Sequence, residues 1–160
     1  MKTYELKRQQ WIPRPLPEVF EFFSAAENLE DITPAFLNFR ILNPRPIKIE
    51  AGKRIEYHLS VHGVPVRWTT EIAEWDPPRR FIDIQLKWSY RHWHHTHQFE
   101  AEGNGTRMTD LVRYALLLGL LGRLTHRLWV RRDVERIFDY RAERIRELLF
   151  GTEHLSDREK

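Results

Sequence analysis

Alternating apolar and polar side chains predict β-strands along most of the chain. The clearest segment runs from Arg54 to His62, where every second residue is apolar and the residues between are polar or charged. Turn-forming residues at 76–78 and 103–105 separate further runs of this kind. Strands are therefore expected over 3–12, 36–42, 54–62, 80–88, 91–101 and 106–116, with one more from Pro65 towards the turn at 76–78.

Helices are predicted in three places. Pro15 and Pro17 mark the start of a first helix over about 16–23, since proline is tolerated in a first turn. A second short helix is expected over 24–31, before Pro34. From Gly122 to Phe150 apolar residues recur every three or four positions with no internal Gly or Pro, which predicts one long C-terminal helix.

These elements predict an α+β fold in which the helix covers one face of the sheet. A two-residue loop at Gly63-Val64 would form a hairpin and place Leu59 opposite Trp68, with the apolar sets of both strands on one face. A sheet with one apolar face must bury it, and the long helix is the only large partner. The antiparallel sheet is therefore expected to curl around this helix.

Length and composition fit one folded domain. The 160 residues are 41% hydrophobic and 31% charged, and we expect a domain over 1–152 followed by a frayed polar tail over 153–160. The absence of cysteine excludes disulfides and cysteine metal sites and fits a cytoplasmic protein. The net charge of +3 is small and mixed along the chain, so no nucleic-acid partner is expected. No signal peptide or membrane span is visible.

Eight segments carry a resemblance to a known family. They are WIP at 11–13, VFEFF at 19–23, LEDITP at 29–34, EWDPP at 74–78, RF at 80–81, HTHQF at 95–99, GTRMTD at 105–110 and IFDYR at 137–141. With the order of elements, they resemble the START-like (SRPBCC) superfamily, in its bacterial polyketide cyclase/dehydrase-like branch. The resemblance implies a helix-grip, Bet v 1-like fold that holds a small apolar molecule between sheet and helix. It implies little about activity, because one scaffold hosts carriers and cyclases.

The run of histidines at 92–97 is the most unusual feature of the chain. On a strand, His95 and His97 share a face with Trp93 and Phe99, while His92 and His94 lie on the other face. The first face is the more apolar and is placed inward. A loop at Asn104-Gly105 would set Phe99 opposite Asp110, and a loop at Gly103-Asn104 would set His97 opposite it.

In either register, His97 and Asp110 are close enough for a hydrogen bond. The pair is most simply a structural polar contact. It could also anchor a ligand, or act as acid and base with Asp110 orienting the imidazole of His97. A metal held by His95, His97 and Asp110 is the least favoured interpretation because no fourth ligand is evident. No metal and no cofactor are therefore predicted.

The inward or outward orientation of Asp83 and Gln85 stays open. Relatives often have a Gly-Pro-aromatic corner where this chain has Trp88-Ser89-Tyr90. A two-residue corner turns these two polar side chains outward, as apolarity favours, whereas a three-residue corner turns them inward, as the resemblance favours.

Three functions follow, in order of preference. The first is binding of a lipid, isoprenoid or aromatic molecule in an internal cavity. The second is a cyclase or dehydratase that uses His95, His97 and Asp110. The third is contact with a membrane or partner through the apolar loop at 116–121. The predicted cavity wall consists of Tyr57, Leu59, Trp68, Trp93, His95, His97, Phe99, Asp110, Val112, Tyr114 and Phe138, with Leu117 and Leu120 at the mouth.

Overall fold

The computed structural model describes residues 2–87, 90–116 and 129–150. The strands are β1 Tyr4–Ile12, β2 Arg40–Ile41, β3 Arg54–Val61, β4 Val64–Asp76, β5 Arg80–Lys87, β6 Tyr90–Glu102 and β7 Gly105–Leu116. The described helices are α1 Leu16–Ser24, α2 Asn28–Asp31, a 3-10 turn Ala35–Leu37 and α3 Arg131–Leu149.

All seven strands join one antiparallel sheet. Their order is β1-β7-β6-β5-β4-β3-β2. After β1 the chain crosses to β2 at the opposite edge, and each later strand is added beside the one before it until β7 pairs with β1. Helices α1 and α2 fill the long connection between β1 and β2. The predicted antiparallel seven-stranded sheet with a C-terminal helix is confirmed.

Helix α3 covers the inner face of the sheet because its buried side chains recur at helical spacing. Val134, Phe138, Arg141 and Ile145 are buried, three or four residues apart. Val134 and Phe138 pack in a cluster with residues of β1 and β7, while Ile145 packs with residues of α1, β6 and β7. The helix therefore bridges two parts of the core, and Arg141 lies between them.

The turn between β3 and β4 is displaced from its predicted position. It consists of His62 and Gly63, whose φ angles are 51° and 80°, and it pairs Leu59 with Val66. The prediction of a Gly63-Val64 loop was wrong because a two-residue hairpin of this type needs positive φ at both central residues, which β-branched Val64 resists. The turn lies one residue earlier than predicted, which shifts the strand pairing by two residues, so each side chain keeps its predicted face.

The β6–β7 turn follows the second of the two predicted registers. Gly103 and Asn104 form the loop, so that Glu102 pairs with Gly105 and His97 pairs directly with Asp110. Gly103 has a φ of 60°, a conformation that glycine adopts without strain.

Two local predictions were too generous. The expected strand over 36–42 is a 3-10 turn followed by the two-residue β2, because Asn38 takes a left-handed φ of 45° and ends the turn. The second helix covers only 28–31 of the expected 24–31. The predicted start of the long helix near Gly122 and the polar tail over 153–160 lie outside the described residues.

None of the helices in the described ranges is long and apolar enough to cross a membrane.

The contact between α3 and the sheet can be tested with one buried and one exposed aliphatic residue of the same helix. Ile145 is 1% exposed and Leu148 is 41% exposed. Ile145→Ala should lower the free energy of unfolding by about 2–5 kcal/mol because it leaves a cavity in the core. Leu148→Ala should change it by only about 0.5 kcal/mol. Equal losses in urea denaturation would contradict this packing.

Candidate ligand cavity and buried ionic cluster

A cavity lies between the inner face of the sheet and α3. Its volume is about 610 Å³, which falls within the roughly 300–1,000 Å³ of small-molecule sites. Most of the side chains on its wall are aliphatic or aromatic, and they come from β3 to β7, α3 and the segment between β1 and β2. The cavity therefore suits an apolar molecule.

The structure places seven of the predicted residues on this wall. They are Tyr57, Leu59, Trp68, Trp93, His95, His97 and Phe138. The other four predicted wall residues do not line the cavity, so the prediction was wrong for them. Phe99 packs against α1, Val112 and Tyr114 pack with Leu6, Val134 and Phe138, and Asp110 contacts the histidines from behind. The predicted mouth residues Leu117 and Leu120 lie outside the described part of the chain.

Asp83 faces the cavity, which settles its orientation. It pairs with Ile72 on one side and with His95 on the other. His97 Nε2 donates a hydrogen bond of 2.8 Å to Asp83 Oδ2, and His95 Nδ1 lies 3.4 Å from the same oxygen. The outward orientation that apolarity favoured is therefore wrong. Two inward imidazoles stabilise the carboxylate inside the protein. The pattern of apolar residues along β5 gives no sign of these partners.

Asp110 supports the histidines from the opposite side. His95 Nε2 donates a hydrogen bond of 2.7 Å to Asp110 Oδ1, and His97 Nδ1 lies 3.1 Å from that oxygen without the alignment of a hydrogen bond. The two imidazole centroids are 3.7 Å apart. Both rings therefore lie between two carboxylates, one on the cavity wall and one behind it.

Aromatic rings and an arginine complete the cluster. Phe81 stacks on His97 with centroids 4.1 Å apart, and Phe138 meets His95 edge-on at 5.4 Å. Arg141 Nε lies 4.0 Å from Asp110 Oδ2, and its guanidinium lies over the rings of Phe23 and Phe138. The ionic groups are thus enclosed by apolar surface, where electrostatic interactions are weakly screened.

The neighbours of each carboxyl group keep it ionised. Burial raises the pKa of Asp110, but the Arg141 guanidinium and the contacts with His95 and His97 outweigh it and hold that pKa well below its usual range. Burial also raises the pKa of Asp83, and the same two histidines bring it below the ordinary value. Both carboxylates are therefore negative at neutral pH.

The two imidazoles differ in their affinity for a proton. Burial lowers the pKa of His97, but its contacts with Asp110 and Asp83 bring that pKa above the ordinary value. For His95, burial and the charge of His97 lower the pKa despite the same carboxylates. With Arg141 charged and His95 neutral, a second ring proton on His97 makes the cluster electrically neutral. The arrangement can hold a proton at the cavity wall, donate it or bind a polar group.

Asp83 and Arg141 carry more of this site than the sequence indicated. Arg141 stands between Phe138 and Ile145 on the apolar stripe of α3, and that position was the signal for its burial. The segment between β1 and β2 also supplies wall residues that the strand pattern did not indicate, including Leu37, Phe39 and Ile49. Their irregular backbone has no period from which an inward face could be predicted.

A family model described as "Polyketide cyclase / dehydrase and lipid transport" matches residues 4–149. The chain belongs to this family. The resemblance predicted from its motifs is thereby confirmed. No curated protein sequence matches the chain significantly.

Solved structures share the fold at low sequence identity. TTHA0849 from Thermus thermophilus is 23% identical, with a TM-score of 0.68 over 89% of this chain and 97% of its own. Protein Ms6760 from Mycobacterium smegmatis is 16% identical, with a TM-score of 0.67 over 92% of each chain. The major latex-like protein 151 from Panax ginseng is 18% identical, with a TM-score of 0.56 over 84% of this chain and 96% of its own. The helix-grip, Bet v 1-like fold is shared by all three.

The ionic cluster should contribute strongly to folding through Asp110. Asp110→Asn should lower the free energy of unfolding by about 3–5 kcal/mol, because it leaves buried positive charge without its counter-ion. Asp139 is the matched control, since its ion pair with Arg8 has side chains that are 67% and 39% exposed. Asp139→Asn should cost less than about 1 kcal/mol. Similar urea midpoints for both variants would contradict a structural role for the buried charge.

Proposed function

We propose that the protein binds one small amphipathic molecule, of the lipid, isoprenoid or aromatic class, in the cavity between its sheet and α3. The observation that carries this proposal is an apolar cavity of about 610 Å³ whose wall includes one cluster of charged side chains. Sites for small molecules usually combine apolar walls with a few polar groups that fix orientation. The family description, which includes lipid transport, agrees with this function.

Arg141 supports an acceptor group on the ligand. Its side chain is 10% exposed and lies on the cavity wall, yet its Nε and Nη2 find no hydrogen-bond partner among the described residues. A buried polar group without a partner costs about 1–3 kcal/mol, and charged groups cost more. A ligand oxygen, such as that of a carboxylate or carbonyl, would give this charged group a partner on the cavity wall. We therefore favour a ligand with an apolar body and one oxygen-bearing end.

Acid–base catalysis is the second candidate function. His97 and Asp83 share a hydrogen bond on the cavity wall, and Asp110 supports both histidines from behind. A protonated imidazole beside a carboxylate is suited to proton transfer to or from a bound molecule. A cyclase or dehydratase would need such a pair within reach of the reacting atoms. Ligand binding ranks first because it requires only the cavity and its polar end.

The proposed contact with a membrane or partner has less support. Of the loop at 116–121, only Leu116 belongs to the described residues, and it lies on the cavity wall. A cytoplasmic location and a bacterial source remain expectations from the sequence.

Ligand binding can be tested by reducing the volume of the cavity. Leu59 lies on the cavity wall, whereas the neighbouring His58 is exposed on the other face of the same strand. Leu59→Trp should weaken binding of the fluorescent probe 8-anilinonaphthalene-1-sulfonate by at least about tenfold, a loss of about 1.4 kcal/mol. His58→Trp is the control and should bind as the wild type does.

The thermal midpoints of both variants should be measured with the titration, so that a loss of folding is recognised. Probe binding by folded Leu59→Trp that equals the wild type would contradict the proposed site. Failure of the wild-type protein to bind the probe or any fatty acid, isoprenoid alcohol or polycyclic aromatic compound would contradict the function itself.

A further inference from the structure

Three potential metal-binding atoms meet at one point of the cavity wall. They belong to Asp83, His95 and His97, each of which offers one ligand atom, and the three atoms lie within 4.8 Å of one another. Asp83 Oδ2 lies 2.8 Å from His97 Nε2 and 3.4 Å from His95 Nδ1. All three residues contribute to the wall of the cavity. The meeting point is therefore accessible from the space in which we place the ligand.

The spacing of these atoms suits a small divalent ion. Zinc binds imidazole nitrogen and carboxylate oxygen at about 2.0–2.2 Å, so neighbouring ligands of a tetrahedral ion lie roughly 3.3 Å apart. The two observed separations lie on either side of this value. Two imidazoles and one carboxylate suit Zn²⁺ or Fe²⁺ more than Mg²⁺ or Ca²⁺, which prefer oxygen alone.

The far side of the imidazoles has the support that metal-binding histidines usually have. A ligating histidine normally directs its other ring nitrogen to a carboxylate or carbonyl, which fixes the ring. Here Asp110 Oδ1 lies 2.7 Å from His95 Nε2 and 3.1 Å from His97 Nδ1. Arg141 in turn lies 4.0 Å from the other oxygen of Asp110. One carboxylate thus faces the cavity as a potential ligand, and the other orients both rings.

We propose that Asp83, His95 and His97 form a binding site for one divalent transition-metal ion, with its remaining coordination positions directed to the cavity. Such a site was not expected from the sequence, where His95, His97 and Asp110 were the only candidate ligands. The structure changes that assignment, since Asp83 from β5 becomes the third ligand and Asp110 becomes the support. Three protein ligands and an open position are the usual arrangement of reactive zinc sites.

A proton and a metal ion compete for this site. The proton that His97 shares with Asp83 occupies the position of the ion, so binding must release it. The metal site stands on its own geometry. The proposed function is needed only for the next step, in which an oxygen of the cavity ligand would occupy the open coordination position.

The test is a calorimetric titration of the 160-residue chain with Zn²⁺, after chelator treatment and desalting. We expect one equivalent to bind, and Asp83→Asn to weaken the affinity by at least about 100-fold. This variant keeps the size of the side chain and an oxygen that can accept from His97. The matched control is the double variant His92→Gln/His94→Gln, which removes the other i, i+2 histidine pair of β6 from the outer face and should bind as the wild type does.

Two measurements keep the proposal falsifiable if a variant folds poorly. Co²⁺ added to the wild type should give visible absorption bands of a four- or five-coordinate site, and excess Zn²⁺ should remove them. Absence of stoichiometric Zn²⁺ binding, full affinity in folded Asp83→Asn, or loss of binding in the His92/His94 variant would overturn the proposal. Binding of 8-anilinonaphthalene-1-sulfonate to the chelated protein is measured in parallel. Probe binding without metal binding rejects the metal site alone, and metal binding without probe binding rejects the ligand cavity alone.

Discussion

Two carboxylates on the covered face of a sheet must be matched by positive charge, and the rest of this structure depends on that requirement. Removing an ionised carboxylate from water without a partner costs more free energy than the net folding stability of a domain. Asp83 and Asp110 therefore constrain their neighbours: the imidazoles of β6 lie between them, and Arg141 from α3 approaches Asp110 from the helix side. The cluster connects β5, β6, β7 and α3.

This requirement also limits how the interior can be filled. Phe81 and Phe138 pack on the two imidazoles, while α1 and the ends of α3 form separate apolar clusters with the sheet. Between these contacts the sheet and helix leave a cavity that is apolar along most of its wall and ionic in one place. A molecule with an apolar body and an oxygen-bearing end matches both parts. The same ionic groups supply what acid–base chemistry or a metal ion would need, so one cluster links the candidate functions.

The sequence predicted the fold well because periodicity records which side of an element is covered. The strict alternation from Arg54 to Val61 and the apolar stripe of α3 each allowed only one choice of inward face. The sequence motifs resembled the family whose model matches the chain. The inward face of His95 and His97 was predicted for the same reason. The register at Asn104 had two solutions, which differ by two residues and leave every side chain on its face.

The remaining parts of the site depend on contacts between elements that are distant in sequence. Asp83 was left open because its orientation is decided by charges on β6, not by the apolar pattern of β5. The position of Arg141 on the apolar stripe of α3 indicates burial, but that stripe cannot show that the carboxylate of Asp110 lies beneath the helix. Phe99, Val112 and Tyr114 face inward as expected, but the sequence does not reveal how much of the inner face α1 and α3 cover.

The central claim is that the buried carboxylates hold one extra proton, and with it one positive charge, on the histidine pair. It is tested most directly by long-range ¹H–¹⁵N NMR of the imidazoles in the metal-free protein at about pH 6.5, where an ordinary histidine is about half protonated. We predict that His97 is mostly protonated on both nitrogens and that His95 is mostly neutral, with its proton on Nε2 facing Asp110. Two equivalent, half-protonated rings, or the reverse assignment, would contradict this claim.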